Sequence, residues 1–156
     1  MAPVRPRQFT ARVEVMESRE LLSSMGSGTS GIQGKGTDHI VTWTTTAEIY
    51  RLNILRGHAN RVGDFRGVFA TITTPTSPLV GSGSITVLAP VESQIDYQLT
   101  KTRTTSGRVT ERTVDQFKIT QGLGGYAGAS GKFTIVITHK LNTPDATFTI
   151  SGRIKL

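Results

Sequence analysis

From Gly36 to the C terminus, apolar and polar residues alternate with a period of two, interrupted only at turn-forming residues, and this pattern limits the fold more than any other feature. It is clearest where Phe148, Ile150, Ile154 and Leu156, with Gly152 in phase, alternate with Thr147, Thr149, Ser151, Arg153 and Lys155. Successive side chains of a strand point to opposite faces, so such a segment buries one face only. Phe133, Ile135 and Ile137 alternate with Lys132, Thr134 and Thr138, and a turn at Asn142, Pro144 and Asp145 makes these two segments a hairpin. Ile95, Tyr97 and Leu99 belong to a second hairpin, which turns around Thr105, Ser106 and Gly107 into a strand where Val109, Phe117 and Ile119 share a face. Upstream, Ile40 to Thr46 and Glu48 to Arg56 read as one long bent strand or two short ones. Val62 to Thr73 and Gly81 to Leu88 form another pair around a loop with Pro75 and Pro78.

About eight strands with short turns and no covering helix predict an all-β fold, and closure into an antiparallel barrel removes the sheet edges that would otherwise stand open. A chain of 156 residues is the size of one domain. With 36% hydrophobic and 19% charged residues it lies above the range in which chains stay disordered. Its 17 glycines suit tight turns. The absence of cysteine excludes disulfides, thiol catalysis and zinc–thiolate sites. No apolar run reaches the ~18–20 residues of a membrane-spanning helix. No secretory signal of the ordinary kind is visible in the first 30 residues, which lack a continuous apolar stretch.

The formal charge of +7 suits an anionic partner, but the basic residues are scattered. Arg51, Arg56, Arg61 and Arg66 lie on one stretch and Lys101, Arg103, Arg108, Arg112 and Lys118 on another, with Asp64, Glu111 and Asp115 among them. No run of cations and no interleaving of aromatic and basic residues points to nucleic acid. The chain divides into residues 1–35, a leader ending in the Gly/Ser/Thr-rich stretch Met25 to Gly36, and residues 36–156, the barrel.

Two stretches resemble known families. Within RVEVMESRELLSS, residues 12–24, the residues Glu17, Arg19, Leu21, Leu22 and Ser23 match a short motif, approximately L-E-x-R-x-L-L-S. It resembles the N-terminal sorting motif of many large planctomycete proteins thought to be exported, with Met16 in place of leucine and Ser18 in place of proline or aspartate. The resemblance implies export or a cell-surface location, with the cytoplasm as the alternative. FKITQGLGGYAGASGKFTI, residues 117–135, resembles the glycine-rich phrase before the closing strands of allene oxide cyclase-like and dirigent-like barrels. Gly122, Gly124, Gly125, Tyr126, Gly128, Ala129 and Gly131 carry the likeness. GHANRVGDFRG, residues 57–67, is similar to a second phrase of such modules, with Arg61 and Val62 where His-Leu is usual. The resemblance implies a calycin-like closed barrel.

Chemistry is sparse in the sequence. His39, His58 and His139 stand at no metal-ligand spacing, and no phosphate-binding or nucleophile motif occurs, so no catalytic residue, cofactor or metal is expected. Four residues are candidates for the barrel interior: Glu48 and Tyr50, in phase with Leu52 and Ile54; Tyr97; and His139, in phase with Ile135 and Ile137. Trp43 and Tyr97 read as core plugs. These observations predict a non-enzymatic, exported or surface-directed barrel acting as a structural or interaction unit. The alternative is a small-molecule-binding barrel, or an isomerase of the kind the allene oxide cyclase resemblance implies, working from the barrel interior. Possible partners are an apolar small molecule or an anionic surface.

Overall fold

The computed structural model describes residues 28–74, 80–87 and 93–156. Its eight strands are β1 (Thr29–Thr44), β2 (Ile49–Ala59), β3 (Gly63–Thr73), β4 (Val80–Val87), β5 (Ser93–Ser106), β6 (Thr110–Leu123), β7 (Ser130–Lys140) and β8 (Asp145–Lys155), with one 3-10 turn at Gly124–Tyr126 between β6 and β7. Each strand pairs antiparallel with the next, and β8 closes onto β1, from Thr29 opposite Lys155 to His39 opposite Asp145. Every strand therefore has two hydrogen-bonded neighbours, as the absence of covering helices requires. The register shifts at Asp96/Tyr97 and at Leu99/Lys101, and the bulges there bend β5 along β6.

The interior is divided along the barrel axis. At the end where β1 begins and β2 finishes it is apolar, built from Ile32, Phe65, Val87, Ile95, Ile119 and Ile154. The 3-10 turn folds Tyr126 under this end, where the side chain is buried and its hydroxyl donates to the Arg61 carbonyl at 3.4 Å. Gly122 makes that turn possible, because a Cβ on it would collide with the Tyr126 carbonyl. Across the middle lies an aromatic layer: Phe117 meets Phe69 at 5.3 Å, Tyr97 at 4.9 Å and Phe133 at 5.3 Å. Most of these pairs are edge-to-face, the arrangement favoured by the ring quadrupoles. Beyond this layer the interior turns polar.

Several expectations are corrected. The barrel begins at Thr29, so the second half of the stretch read as linker is strand. Ile32 enters the core from it, and Gly36 leaves room for Phe148. Of the two readings of Ile40 to Thr46 and Glu48 to Arg56, the structure has the two strands, joined by a turn at residues 45–48. Val109 shares no face with Phe117, since it sits in the β5–β6 turn at 70% exposure. Trp43 is not a core plug, because it lies on the outside at 47% exposure, whereas Tyr97 is buried. The leader candidates Glu17, Arg19, Leu21 and Leu22 lie outside the described residues.

The largest correction concerns β2. Its buried residues are Asn53, Leu55 and Ala59, so the phase of Glu48, Tyr50, Leu52 and Ile54 faces outward. Tyr50, Leu52 and Ile54 therefore lie on the outer face of β2, and the polar pair Arg51 and Asn53 shares the inner face with Leu55 and Ala59.

Candidate functional site

At the polar end, opposite Tyr126, the interior opens into a cavity of about 290 Å³. Arg51 reaches it from β2, Thr71 and Thr73 from β3, Thr102 and Thr104 from β5, and Glu111, Thr113 and Asp115 from β6, with Phe69 and Ile49 as apolar walls. Each of these strands contributes alternate residues to the lining, as the pleat dictates. On the same inward faces lie Asp38 of β1 and Asn53 of β2, both buried.

Three polar pairings organise the mouth. The Asn53 amide donates to Asp38 Oδ2 at 2.5 Å, and the Thr102 hydroxyl donates to Asp115 Oδ1 at 2.5 Å. Arg51 Nη1 pairs with Glu111 Oε1 at 3.6 Å, both side chains being about one-fifth exposed. These pairings leave four buried polar atoms without a hydrogen-bond partner among the described residues: Asp38 Oδ1, Asn53 Oδ1, and Arg51 Nε and Nη2. Of these three residues Arg51 lines the cavity, while Asp38 and Asn53 are buried on the inward faces of β1 and β2. A buried polar group without a partner costs about 1–3 kcal/mol, so folds rarely retain four in one place unless something else engages them.

Burial raises the carboxyl groups. Asp38 is pushed up to about 6, chiefly by loss of hydration, against the opposing pull of the Asn53 hydrogen bond, the charge of Arg51, a hydrogen bond from the Ile54 backbone and the charge of His139. Asp115 is raised by the same loss of hydration, opposed by its bond from Thr102 and by Arg51. One guanidinium therefore serves two carboxyl groups with raised pKa and one, Glu111, that it contacts directly. Burial also raises the phenol of Tyr97, whose hydroxyl donates to the carbonyls of Val68 at 3.2 Å and Ser84 at 3.4 Å, which keeps the ring in the aromatic layer.

The structure separates the four interior candidates. Tyr97 lies within the barrel, beneath the mouth. His139 is half-buried at the mouth's rim, where its Nε2 meets the Thr143 carbonyl at 2.5 Å. Glu48 and Tyr50 are outside: the Tyr50 hydroxyl donates to Glu48, and its ring stacks on Trp43 with centroids 5.2 Å apart. Asp38, Arg51, Asn53, Glu111 and Asp115 were not expected as a site. A signal for two of them was present, since Asp115 is in phase with Phe117 and Ile119, and Asp38 with Ile40. Arg51 and Asn53 escaped because the apolar residues beside them, Leu52 and Ile54, point outward.

The outer surface carries most of the remaining charge. The register sets Lys118, Lys132 and Arg153 side by side on β6, β7 and β8, but Gln98 and Gly31 bound that row, so it does not run round the barrel. Among the described residues no group of His, Asp and Glu could hold a metal ion, and no helix is long and apolar enough to cross a membrane.

No model of a known protein family and no curated protein sequence matches the chain. Among solved structures, the barrel is similar to the pterocarpan synthase dirigent protein PsPTS1, with a TM-score of 0.50 over 82% of this chain and 95% of that one, at 11% sequence identity. An identity so low speaks for the architecture alone. The chain therefore has the closed, eight-stranded antiparallel barrel of a dirigent-like fold.

Proposed function

We propose that the barrel is a small-molecule-binding module whose polar mouth receives a compact, hydroxyl-bearing organic molecule. One observation carries this reading: Arg51 lines the cavity with Nε and Nη2 unpaired, and Asp38 and Asn53, buried on the inward faces of β1 and β2, each keep one oxygen without a hydrogen-bond partner among the described residues. A hydroxyl group donates and accepts at once, so a molecule with hydroxyls can serve both sets, which a hydrocarbon or a simple ion cannot. The cavity of about 290 Å³ lies at the small end of the range for ligand sites, about 300–1,000 Å³. Phe69 and Ile49 offer an apolar surface for the body of the molecule.

The test is thermal unfolding of the full chain with a set of mono- and dihydroxylated six-membered-ring compounds. A ligand at one hundred times its dissociation constant stabilises the fold by about 2.7 kcal/mol. The expected result is stabilisation of the wild type and of the outer-face control Lys132→Gln, and its loss in Arg51→Gln. Equal stabilisation of all three would place the ligand elsewhere and refute the mouth as the site.

A second reading has its own observation. Asp38, raised to about 6 and facing Arg51, has the protonation behaviour that acid–base chemistry near neutrality uses. On this reading the bound molecule undergoes proton transfer, and Asp38→Asn keeps binding while abolishing turnover. The export role implied by the leader rests on residues outside the described barrel.

A further inference from the structure

We propose that the outer face of β1, β2 and β3 is the contact surface of a two-fold dimer of this chain. The surface is independent of what the mouth binds. Five large apolar side chains stand exposed on it, namely Val41, Trp43, Ile54, Val68 and Ile72, each between 39% and 47% accessible. The register makes them neighbours. Trp43 lies opposite Tyr50 and Val41 opposite Leu52 across β1 and β2, while Tyr50 lies opposite Ile72 and Ile54 opposite Val68 across β2 and β3. Together they form one continuous apolar patch of several hundred Å², the size at which exposed apolar surface on a soluble protein marks a contact site. The Trp43 and Tyr50 rings, 5.2 Å apart and parallel to within 1°, give it a preordered aromatic step.

The arrangement of the patch identifies its occupant as a second copy. Its middle row is Val41, Leu52 and Ala70, paired across the three strands. Glu48, in the turn that leads into β2, stands four residues before Leu52, and Arg56, exposed on β2, four residues after it. A two-fold axis along the middle row runs each strand antiparallel to its own copy. It sets Leu52 against Leu52, Tyr50 against Ile54, Val68 against Ile72, and Glu48 against Arg56. Apolar meets apolar on β2 and β3 and the acid meets the base, while on β1 Trp43 comes to lie against the His39 ring. A two-fold axis parallel to the strands would instead set Arg56, with its register partner Arg66, against the same pair of the other copy, a juxtaposition that like charges oppose. The self-complementarity that an isologous interface demands is thus met in one orientation.

Sedimentation velocity of the full chain, from low micromolar to several hundred micromolar, tests this. The expected species is a dimer, with Leu52→Glu a monomer. Glu48→Arg should weaken the dimer by about tenfold or more, and the double variant Glu48→Arg/Arg56→Glu should restore it. The charge swap lies wholly on the rim, so it remains informative even if Leu52→Glu fails to fold. A monomer throughout the range, a dimer indifferent to Glu48→Arg, a double variant no better than the single, or a closed species of three or more copies would each overturn the proposal.

Discussion

A carboxyl group enclosed by an amide, a guanidinium and apolar walls, as Asp38 is, titrates later than one in water because ionising it forfeits hydration that the enclosure only partly replaces. The sign of the consequence follows. With the folded pKa near 6 and the ordinary value at 3.8, the folded state holds its proton more tightly than the unfolded one. The proton-linked stabilisation is fully present below about pH 4 and is lost as pH rises to about 6 and beyond. At about 1.4 kcal/mol per pH unit of elevation, the ionised form is penalised by roughly 3 kcal/mol. Asp115 is displaced in the same direction by burial and adds to the trend. Asp38→Asn removes the ionisation while keeping an oxygen that can accept from Asn53. Urea unfolding at pH 4 and pH 7.5 should show Asp38→Asn gaining about 1–3 kcal/mol on the wild type at the higher pH relative to the lower. An identical difference at both pH values would mean that Asp38 titrates normally.

At the scale of the strand, sequence and structure agree on period and part company on phase. β7 and β8 were legible in detail, because Phe133, Ile135, Ile137, Phe148, Ile150 and Ile154 are all apolar and all buried. β2 was legible as a strand but inverted, since Asn53 faces inward and Tyr50, Leu52 and Ile54 face outward. A periodicity argument assumes that the apolar side is the core side, and here the outer face has its own apolar patch and the inner face its own polar site. β1 was shortened for a related reason: glycines at 31, 34 and 36 resemble a linker, although they serve a strand that approaches its neighbours closely. That reading makes a prediction. A Cβ on Gly36 would meet the Arg56 carbonyl, and Phe148 Cζ at 2.7 Å, whereas one on Gly31 would meet nothing within 4 Å. Gly36→Ala should cost about 1–3 kcal/mol, the usual range for overpacking, and Gly31→Ala should be nearly neutral. Equal losses in chemical unfolding would show that the Gly36 approach is not what holds β1 to β2 and β8.

Over the whole molecule, the barrel converts scattered residues into a gradient. Its closed end is sealed by Tyr126, its middle by the Phe69, Tyr97, Phe117 and Phe133 rings, and its open end has Arg51, Glu111 and Asp115 on the cavity wall, with Asp38 and Asn53 buried on the inward faces of β1 and β2. No short motif encodes this gathering. Asp38 and Asp115 belong to β1 and β6, and the closed register alone turns both toward Arg51. The glycine-rich turn before β7 was legible because it is local, while the polar mouth was not, because it is a product of closure. The most direct test of the mouth as a binding site is side-chain nitrogen NMR of Arg51 and Asn53 during titration with a dihydroxylated ring compound that stabilises the protein. Binding at the mouth should move the Arg51 Nε–H and Asn53 amide signals together to saturation, while outer-face signals such as that of Gln98 stay still. Movement confined to the outer face, with Arg51 and Asn53 unchanged, would contradict it.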